Sequence, residues 1–197
     1  MSPQIDTVQR NTTTYWDGVY GRAEYPTMDP NNVRRYDAAA ARQVGSTALD
    51  FGCGQGGLGL SLHRRWPDVH YTGLDFSLTA ITGSVLPQNE QHWWQLQCRD
   101  WLAGLPPGYC ADTVYLLDVL EHADAPHHLL AVAASVARRR LVVTVPKYGI
   151  LTPDLHRGEH RYDFTDDEFR ALLAFYGTVN GPEEANTICN LWWVDRE

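Results

Sequence analysis

Asp118, Glu121 and His122 fall within five positions of one another in YLLDVLEHADAPHH, residues 115–128, where an apolar run gives way to charge. If the chain turns helical after that run, positions i, i+3 and i+4 share one face, and two carboxylates and an imidazole can converge. Such a mixed oxygen and nitrogen set suits several divalent ions. A further ligand would have to come from elsewhere, and PDLHRGEHRYDFTDDEF, residues 153–169, supplies His156 and His160. Without a metal, His122 is suited to general-base work, because a histidine titrates near neutrality. A histidine here can equally pack against or cap the following helix.

A second cluster precedes the first. In ALDFGCGQGGLG, residues 48–59, an apolar run ending at Asp50-Phe51 is followed by Gly52, Gly54, Gly56 and Gly57, and then by a helical apolar pattern. Glycines permit positive φ and let a ligand approach the backbone, and a loop that opens a helix presents free N–H groups. The next apolar run ends in Asp75, twenty-five positions after Asp50. An acid there can accept hydrogen bonds from the ribose hydroxyls of a nucleoside. CRDW puts Asp100 and Trp101 at the end of a third run; Asp100 can accept from an adenine amino group, with Phe76 and Trp101 flanking the base. Any one of these acids can be a helix cap, but together they fall where an open α/β sheet binds ligands, beyond the carboxyl ends of its strands.

The elements that would carry these residues are legible from periodicity. Apolar runs at 47–51, 70–74, 93–96, 113–117 and 141–145 alternate with stretches long enough for helices, including 33–43 and 126–137. This alternation predicts βαβ units and a parallel sheet covered on both faces. After residue 145 the pattern changes to a loop, a helix over 166–175 and short strands near Thr178 and at 188–194, which suits a closing hairpin with an antiparallel strand. Thr165, followed by Asp166, Asp167 and Glu168, reads as a helix N-cap with an acidic first turn, and Gly177 as its stop. Arg138, Arg139 and Arg140 read as solvated complements to a helix C-terminus. In Trp93-Trp94 and Trp192-Trp193, strand alternation predicts one core residue in each pair.

The 197 residues, 44% of them hydrophobic, suit one domain over 1–197, with 1–45 as an N-terminal helical lid or cap. No run of eighteen apolar residues is present and the start is polar, so a cytoplasmic protein that does not enter membranes is expected. The four cysteines are scattered, as buried or free thiols would be. A net charge of −8 disfavours nucleic acid as a partner.

The stretches LDFGCGQGG, GLDFS, CRDW and LLDVLEH, in that order over about residues 46–146, resemble the class I S-adenosylmethionine-dependent methyltransferases. A nicotinamide dehydrogenase is the competing reading of the glycine loop. The loop fits the G-x-G-x-x-G order formally, from Gly52 and again from Gly54, but GCG after an Asp-ended strand looks more like a methyltransferase. The resemblance implies a doubly wound, Rossmann-like α/β fold whose seven-stranded, mostly parallel sheet ends in an antiparallel strand. It also implies S-adenosylmethionine as cofactor, with Gly52 and Gly54 against its methionine part, Asp75 on the ribose, and Asp100 with Trp101 at the adenine. Asp50, Gly56 and Phe76 complete the expected cofactor contacts.

DVLEH followed by GEHRYDFTDDEF is similar, more narrowly, to the D/E-x-x-E-H…H arrangement of metal-assisted O-methyltransferases, among them small-RNA terminal 2′-O-methyltransferases and ubiquinone-pathway enzymes. That likeness implies Glu121, His122 and His160 as ligands of a divalent metal ion, with Asp118 standing one methylene shorter in the place of the usual Glu. Metal-independent relatives also carry LEH here, and in them His122 and His160 would hydrogen-bond within the pocket or touch the acceptor.

Tyr15, Trp16 and Tyr20 can form a lid over the cofactor, or pack an N-terminal helix. Arg34 and Arg35 can meet a carboxylate, although a solvated helix face is the expected place for them. The reading as a whole is O-methylation of a small-molecule hydroxyl, with His122, His160 and Asp118 as catalytic candidates. An RNA-terminal 2′-O-methyltransferase and a catalytically silent S-adenosylmethionine-binding partner module are the alternatives. The acceptor, the choice of O over N or C, and the oligomeric state are left open by the sequence.

Overall fold

The computed structural model describes residues 12–22, 27–90, 92–100, 105–106, 108–150 and 160–196. Seven strands form one sheet: β1 (Thr47–Phe51), β2 (His70–Asp75), β3 (Trp94–Cys98), β4 (Ala111–Leu117), β5 (Ala137–Pro146), β6 (Thr178–Glu184) and β7 (Cys189–Asp195). Their order is β3-β2-β1-β4-β5-β7-β6. Strands β1 to β5 pair in parallel, and β7 runs antiparallel to both β5 and β6. The fold implied by the glycine loop and its acids is therefore present.

Strand alternation sends side chains to two cores. Val114 and Leu116 of β4, with Leu141 and Val143 of β5, meet helix α5 (Pro126–Val136) through Leu129, Leu130 and Ala133, and meet α6 (Asp166–Leu173) through Phe169 and Leu173. Tyr115 and Val142 point to the other face, against Ala39 and Ala40 of α2 (Pro30–Ala40) and Leu58 and Leu62 of α3 (Gly57–Arg65). Each fully buried Leu contributes roughly 1.5–3 kcal/mol, so helices on both faces hold the sheet edge on which the site is built. Two further helices, α1 (Thr13–Tyr20) and α4 (Leu78–Thr82), pack on each other beside the end of β2. Among the described residues no helix is long and apolar enough to cross a membrane.

The expected cap of α6 is made: Thr165 Oγ1 accepts from the Glu168 N–H, and the Glu168 carboxylate accepts from the Thr165 N–H at 3.0 Å. Three expectations are corrected. Arg138–Arg140 do not end a helix, because α5 stops at Val136 and Ala137 already pairs with Ala111 as strand. Arg140 instead donates to Asp195 at 2.7 Å across the β5–β7 pair. Trp93 and Trp94 are both buried in one core, because β3 begins at Trp94 and Trp93 lies in the preceding turn, where its ring stacks on His63 at 4.0 Å. Helix α2 starts three residues before residue 33, since Asp29 accepts from the N–H groups of Asn31 and Asn32 and Pro30 supplies a helical φ.

Candidate active site

The sheet order reverses direction between β1 and β4, and a ligand crevice opens at such a switch point. Phe51 pairs with Leu116, so the glycine loop after β1 and the Asp118 segment after β4 leave the sheet side by side. The Gly52 and Cys53 N–H groups donate to the Leu74 carbonyl at 2.8 and 3.1 Å, stitching the loop to β2. Gly52 and Gly54 have φ of +71° and +54°. A Cβ on Gly52 would lie 2.6 Å from Val119 Cγ2, and one on Gly54 2.8 Å from the Tyr20 hydroxyl. Both conformation and crowding therefore require glycine. Gly56, at φ +86°, is the left-handed residue from which α3 starts.

Asp75 is held from two sides, its Oδ2 accepting from the Gly54 N–H at 2.9 Å and its Oδ1 from the Ser77 N–H at 2.8 Å. Burial pushes its carboxyl up to about 6 against those hydrogen bonds. Asp50 accepts from the Tyr71 hydroxyl at 2.8 Å, and burial pushes it up to about 7. Asp50 lines a cavity of about 260 Å³, while Asp75 and Phe76 line an adjoining one of about 60 Å³. Gly52, Trp16, Tyr20, Asp118 and His122 border both. Trp16, Val19 and Tyr20 bring α1 over the larger cavity, whereas Tyr15 is not among the described residues lining either one. Asp100 is exposed past the end of β3 and lies outside both linings, and Trp101 and His156 lie outside the described residues.

The segment after β4 does not turn into an α-helix. Asp118 takes φ +54°, a strained conformation for a residue with a side chain, and a short 3₁₀ turn, Leu120–His122, follows. Asp118 and Glu121 consequently diverge. The Asp118 carboxylate accepts from Thr144 Oγ1 at 2.6 Å and from Cys189 Sγ at 3.3 Å, and it forms an ion pair with Arg35. The carboxylate of Glu121 is fully buried and finds no hydrogen-bond partner for either oxygen among the described residues. Burial pushes it up to about 8.

Beside Glu121 stand two imidazoles. The rings of His122 and His160 are perpendicular with centroids 4.4 Å apart, and Trp16 packs edge-on against His122 at 5.2 Å. One donor atom from each of Glu121, His122 and His160 lies within 4.8 Å of the others. His160 is brought there by its neighbours: the N–H groups of Arg161 and Tyr162 donate to the Glu121 carbonyl at 2.7 and 3.3 Å, and Arg161 pairs with Asp124 at 2.8 Å. An orphaned buried carboxylate beside two imidazoles fits a divalent cation, which would both neutralise and coordinate it. Asp118 stands outside this group, engaged by its own three partners.

Arg35 is the correction on α2. Arg34 is exposed as expected, but Arg35 faces the cavity, its side chain 12% exposed. Helix phase carried the signal, since Arg35 lies one turn before the buried Ala39. Thr144 and Cys189 were not foreseen. They come from β5 and β7: the parallel register of Leu117 with Thr144 brings the first to Asp118, and the antiparallel register of Pro146 with Cys189 brings the second.

A glycine loop, the buried Asp75 at the end of β2 and a polar cavity thus meet at the switch point of the sheet. The family described as "Methyltransferase domain" matches residues 49–140. The (S)-tetrahydroprotoberberine N-methyltransferase of Eschscholzia californica is 32% identical over 91 residues, a match covering 38% of this chain and about a quarter (26%) of that enzyme. The magnesium protoporphyrin IX methyltransferase of Synechocystis PCC 6803, solved with bound SAH, superposes with a TM-score of 0.69 at 21% identity, over 95% of this chain and 96% of that one. The methyltransferase domain of bacterial CtHen1-C gives 0.68 at 20% identity, over 84% and 98%. At these identities the structural likeness shows the fold. Residues 49–140 thus match a methyltransferase domain, and the fold is the one found in methyltransferases solved with bound SAH.

Proposed function

We propose that the protein moves the sulfonium methyl group of S-adenosylmethionine to a hydroxyl oxygen of a small, uncharged acceptor, with a divalent cation held by Glu121, His122 and His160. The acceptor oxygen bonds to the methyl carbon as the carbon–sulfur bond breaks, the sulfonium becomes the thioether of S-adenosylhomocysteine, and the hydroxyl proton passes to solvent. The observation that carries the reading is the buried Glu121 carboxylate, without a hydrogen-bond partner among the described residues, at the wall of the cavity that the glycine loop borders.

Gly52 and Gly54 leave room for the methionine part, and Asp75 offers its free lone pairs to the ribose hydroxyls. Asp50, on the same cavity, complements the positive charge of the cofactor. Trp16 and Tyr20 exclude water from the reacting atoms, which matters because positioning and desolvation supply much of the acceleration in a displacement of this kind. When bound, the cation supplies a Lewis acid that lowers the acceptor hydroxyl's pKa and orients it.

A small uncharged acceptor is favoured over an RNA terminus because Arg35 is the sole Lys or Arg among the described residues lining the cavity, and it is paired with Asp118. Oxygen is favoured over nitrogen by the Glu-His-His set, although the Eschscholzia relative is by name an N-methyltransferase. Calorimetry tests both parts. S-adenosylhomocysteine should bind wild-type protein, and Mn²⁺ should bind wild type but bind Glu121→Gln and His160→Ala at least about tenfold more weakly. Binding of S-adenosylhomocysteine without Mn²⁺ uptake would remove the cation from the mechanism. Failure to bind S-adenosylhomocysteine would remove the whole reading.

A further inference from the structure

Helix α1 is an unusual cover. It has eight residues, none of them fully buried, and an isolated helix of that length is not stable in water. Its apolar inner face, Trp16, Val19 and Tyr20, looks onto the cavity rather than into a core. Packing therefore gives it a limited hold, to which a polar contact adds. That contact is Asp17. One oxygen, Oδ1, accepts from the Ser77 hydroxyl at 2.6 Å and from the Thr79 N–H at 3.1 Å. Ser77 is also the residue whose N–H donates to Asp75 Oδ1 at 2.8 Å. The chain Asp17–Ser77–Asp75 thus joins the cover to the acid assigned to the ribose.

We infer that Asp17 is a positioning residue that latches α1 over the bound cofactor, with Ser77 coupling the latch to the ribose-binding carboxylate. This rests on the proposed cofactor site but not on the acceptor or the cation. With the latch made, Trp16 lies against His122 and Tyr20 against Gly54, and the cofactor is enclosed between α1 and the glycine loop. With it broken, nothing else in α1 reaches the β2–α4 connection with a charged group, and the cofactor escapes more readily. Because a single oxygen takes both donors, Asn should serve where Ala cannot.

Binding of S-adenosylhomocysteine to full-length wild type, Asp17→Ala, Asp17→Asn and Ser77→Ala tests this by calorimetry and stopped-flow fluorescence. Asp17→Ala is expected to weaken binding about tenfold, the scale of losing charge-assisted hydrogen bonds. The change should fall on the dissociation rate, because the latch acts after the cofactor has entered. Asp17→Asn should stay within about threefold of wild type. In the Ser77→Ala background, Asp17→Ala should have clearly less effect, the signature of a shared contact. The thermal midpoint of the ligand-free variants should stay within about 2 °C of wild type, since Asp17 stabilises no core. The inference is overturned if Asp17→Ala binds like wild type, if Asn is as damaging as Ala, or if the ligand-free midpoint falls in step with affinity. If wild type itself fails to bind, the cofactor reading fails, and the latch with it.

Discussion

Replacing Glu121 by Gln should stabilise the cation-free protein at neutral pH, although it deletes a group assigned to the site. The carboxyl is fully buried, without a hydrogen-bond partner among the described residues, and burial pushes it from an ordinary 4.5 up to about 8. Below pH 4.5 it is protonated both folded and unfolded, and the stability associated with it is fully present. As the pH rises from 4.5 towards 8, the unfolded chain ionises while the folded one resists, so stability is progressively lost. At 1.36 kcal/mol per unit, the loss is about 3 kcal/mol at pH 7 and under about 1 kcal/mol at pH 5. Gln has the same shape and is neutral throughout, so it escapes the penalty. In EDTA, urea denaturation should find Glu121→Gln more stable than wild type by about 3 kcal/mol at pH 7, with a thermal midpoint roughly 6–12 °C higher. The two should converge near pH 4. Adding Mn²⁺ should reverse the ranking in part, because a ligand that binds the folded state stabilises only the chain that holds it. A Glu121→Gln protein no more stable than wild type at pH 7 in EDTA would refute the reasoning, since the carboxyl could not then be held neutral by burial.

Three further outcomes follow from the same geometry. Gly54→Ala puts a Cβ 2.8 Å from the Tyr20 hydroxyl at φ +54°, so it should cost about 1 kcal/mol or more in denaturation and lower S-adenosylhomocysteine affinity at least about tenfold by calorimetry. Asp75 is lifted to about 6, so wild-type affinity should be full above that pH and decline between pH 7 and 5 as the carboxylate protonates. Asp75→Asn should bind weakly and lose that decline, and a wild-type affinity flat from pH 7.5 to 5 would contradict the assignment. Phe169→Ala opens a cavity against Trp192, whose ring lies 5.8 Å away, and should cost about 3–5 kcal/mol in urea.

The layout of the sheet was legible because it depends on local pattern. The run at 47–51 is β1 to the residue, and the βα alternation, the closing hairpin and the Thr165 cap are all present. Reading failed where spacing was asked to stand for conformation. The i, i+3, i+4 argument for residues 118–122 assumes an α-helix, whereas a left-handed Asp118 and a 3₁₀ turn set those side chains in different directions. The pairing of Glu121 and His122 with His160 came from family resemblance, and the contacts that bring them together are main-chain bonds between residues forty positions apart, Arg161 to Glu121. No local periodicity encodes such a bond. Thr144 and Cys189 were hidden for a similar reason, since neither acquires meaning until β5, β7 and the end of β4 are in register.

Asp118 shows why a strained backbone belongs at this point of the fold. Leaving β4, the chain still makes one more step of pairing, with the Asp118 N–H donating to the Thr144 carbonyl and hydroxyl at 3.2 and 3.0 Å. It must then turn sharply, and the left-handed φ makes the turn at a cost of about 1–3 kcal/mol. That cost is offset by a carboxylate fastened to three elements at once: Arg35 on α2, Thr144 on β5 and Cys189 on β7. Deformation of the turn would release all three contacts together, so the conformation is over-determined. A side chain one methylene longer would carry its carboxylate beyond these partners' present positions, which gives the Asp in the D-x-x-E-H arrangement a reason of its own. The same turn leads directly into Leu120–His122 and so fixes where Glu121 enters the interior. In this chain the first acid braces the turn, and the second, with the two histidines, lines the cavity.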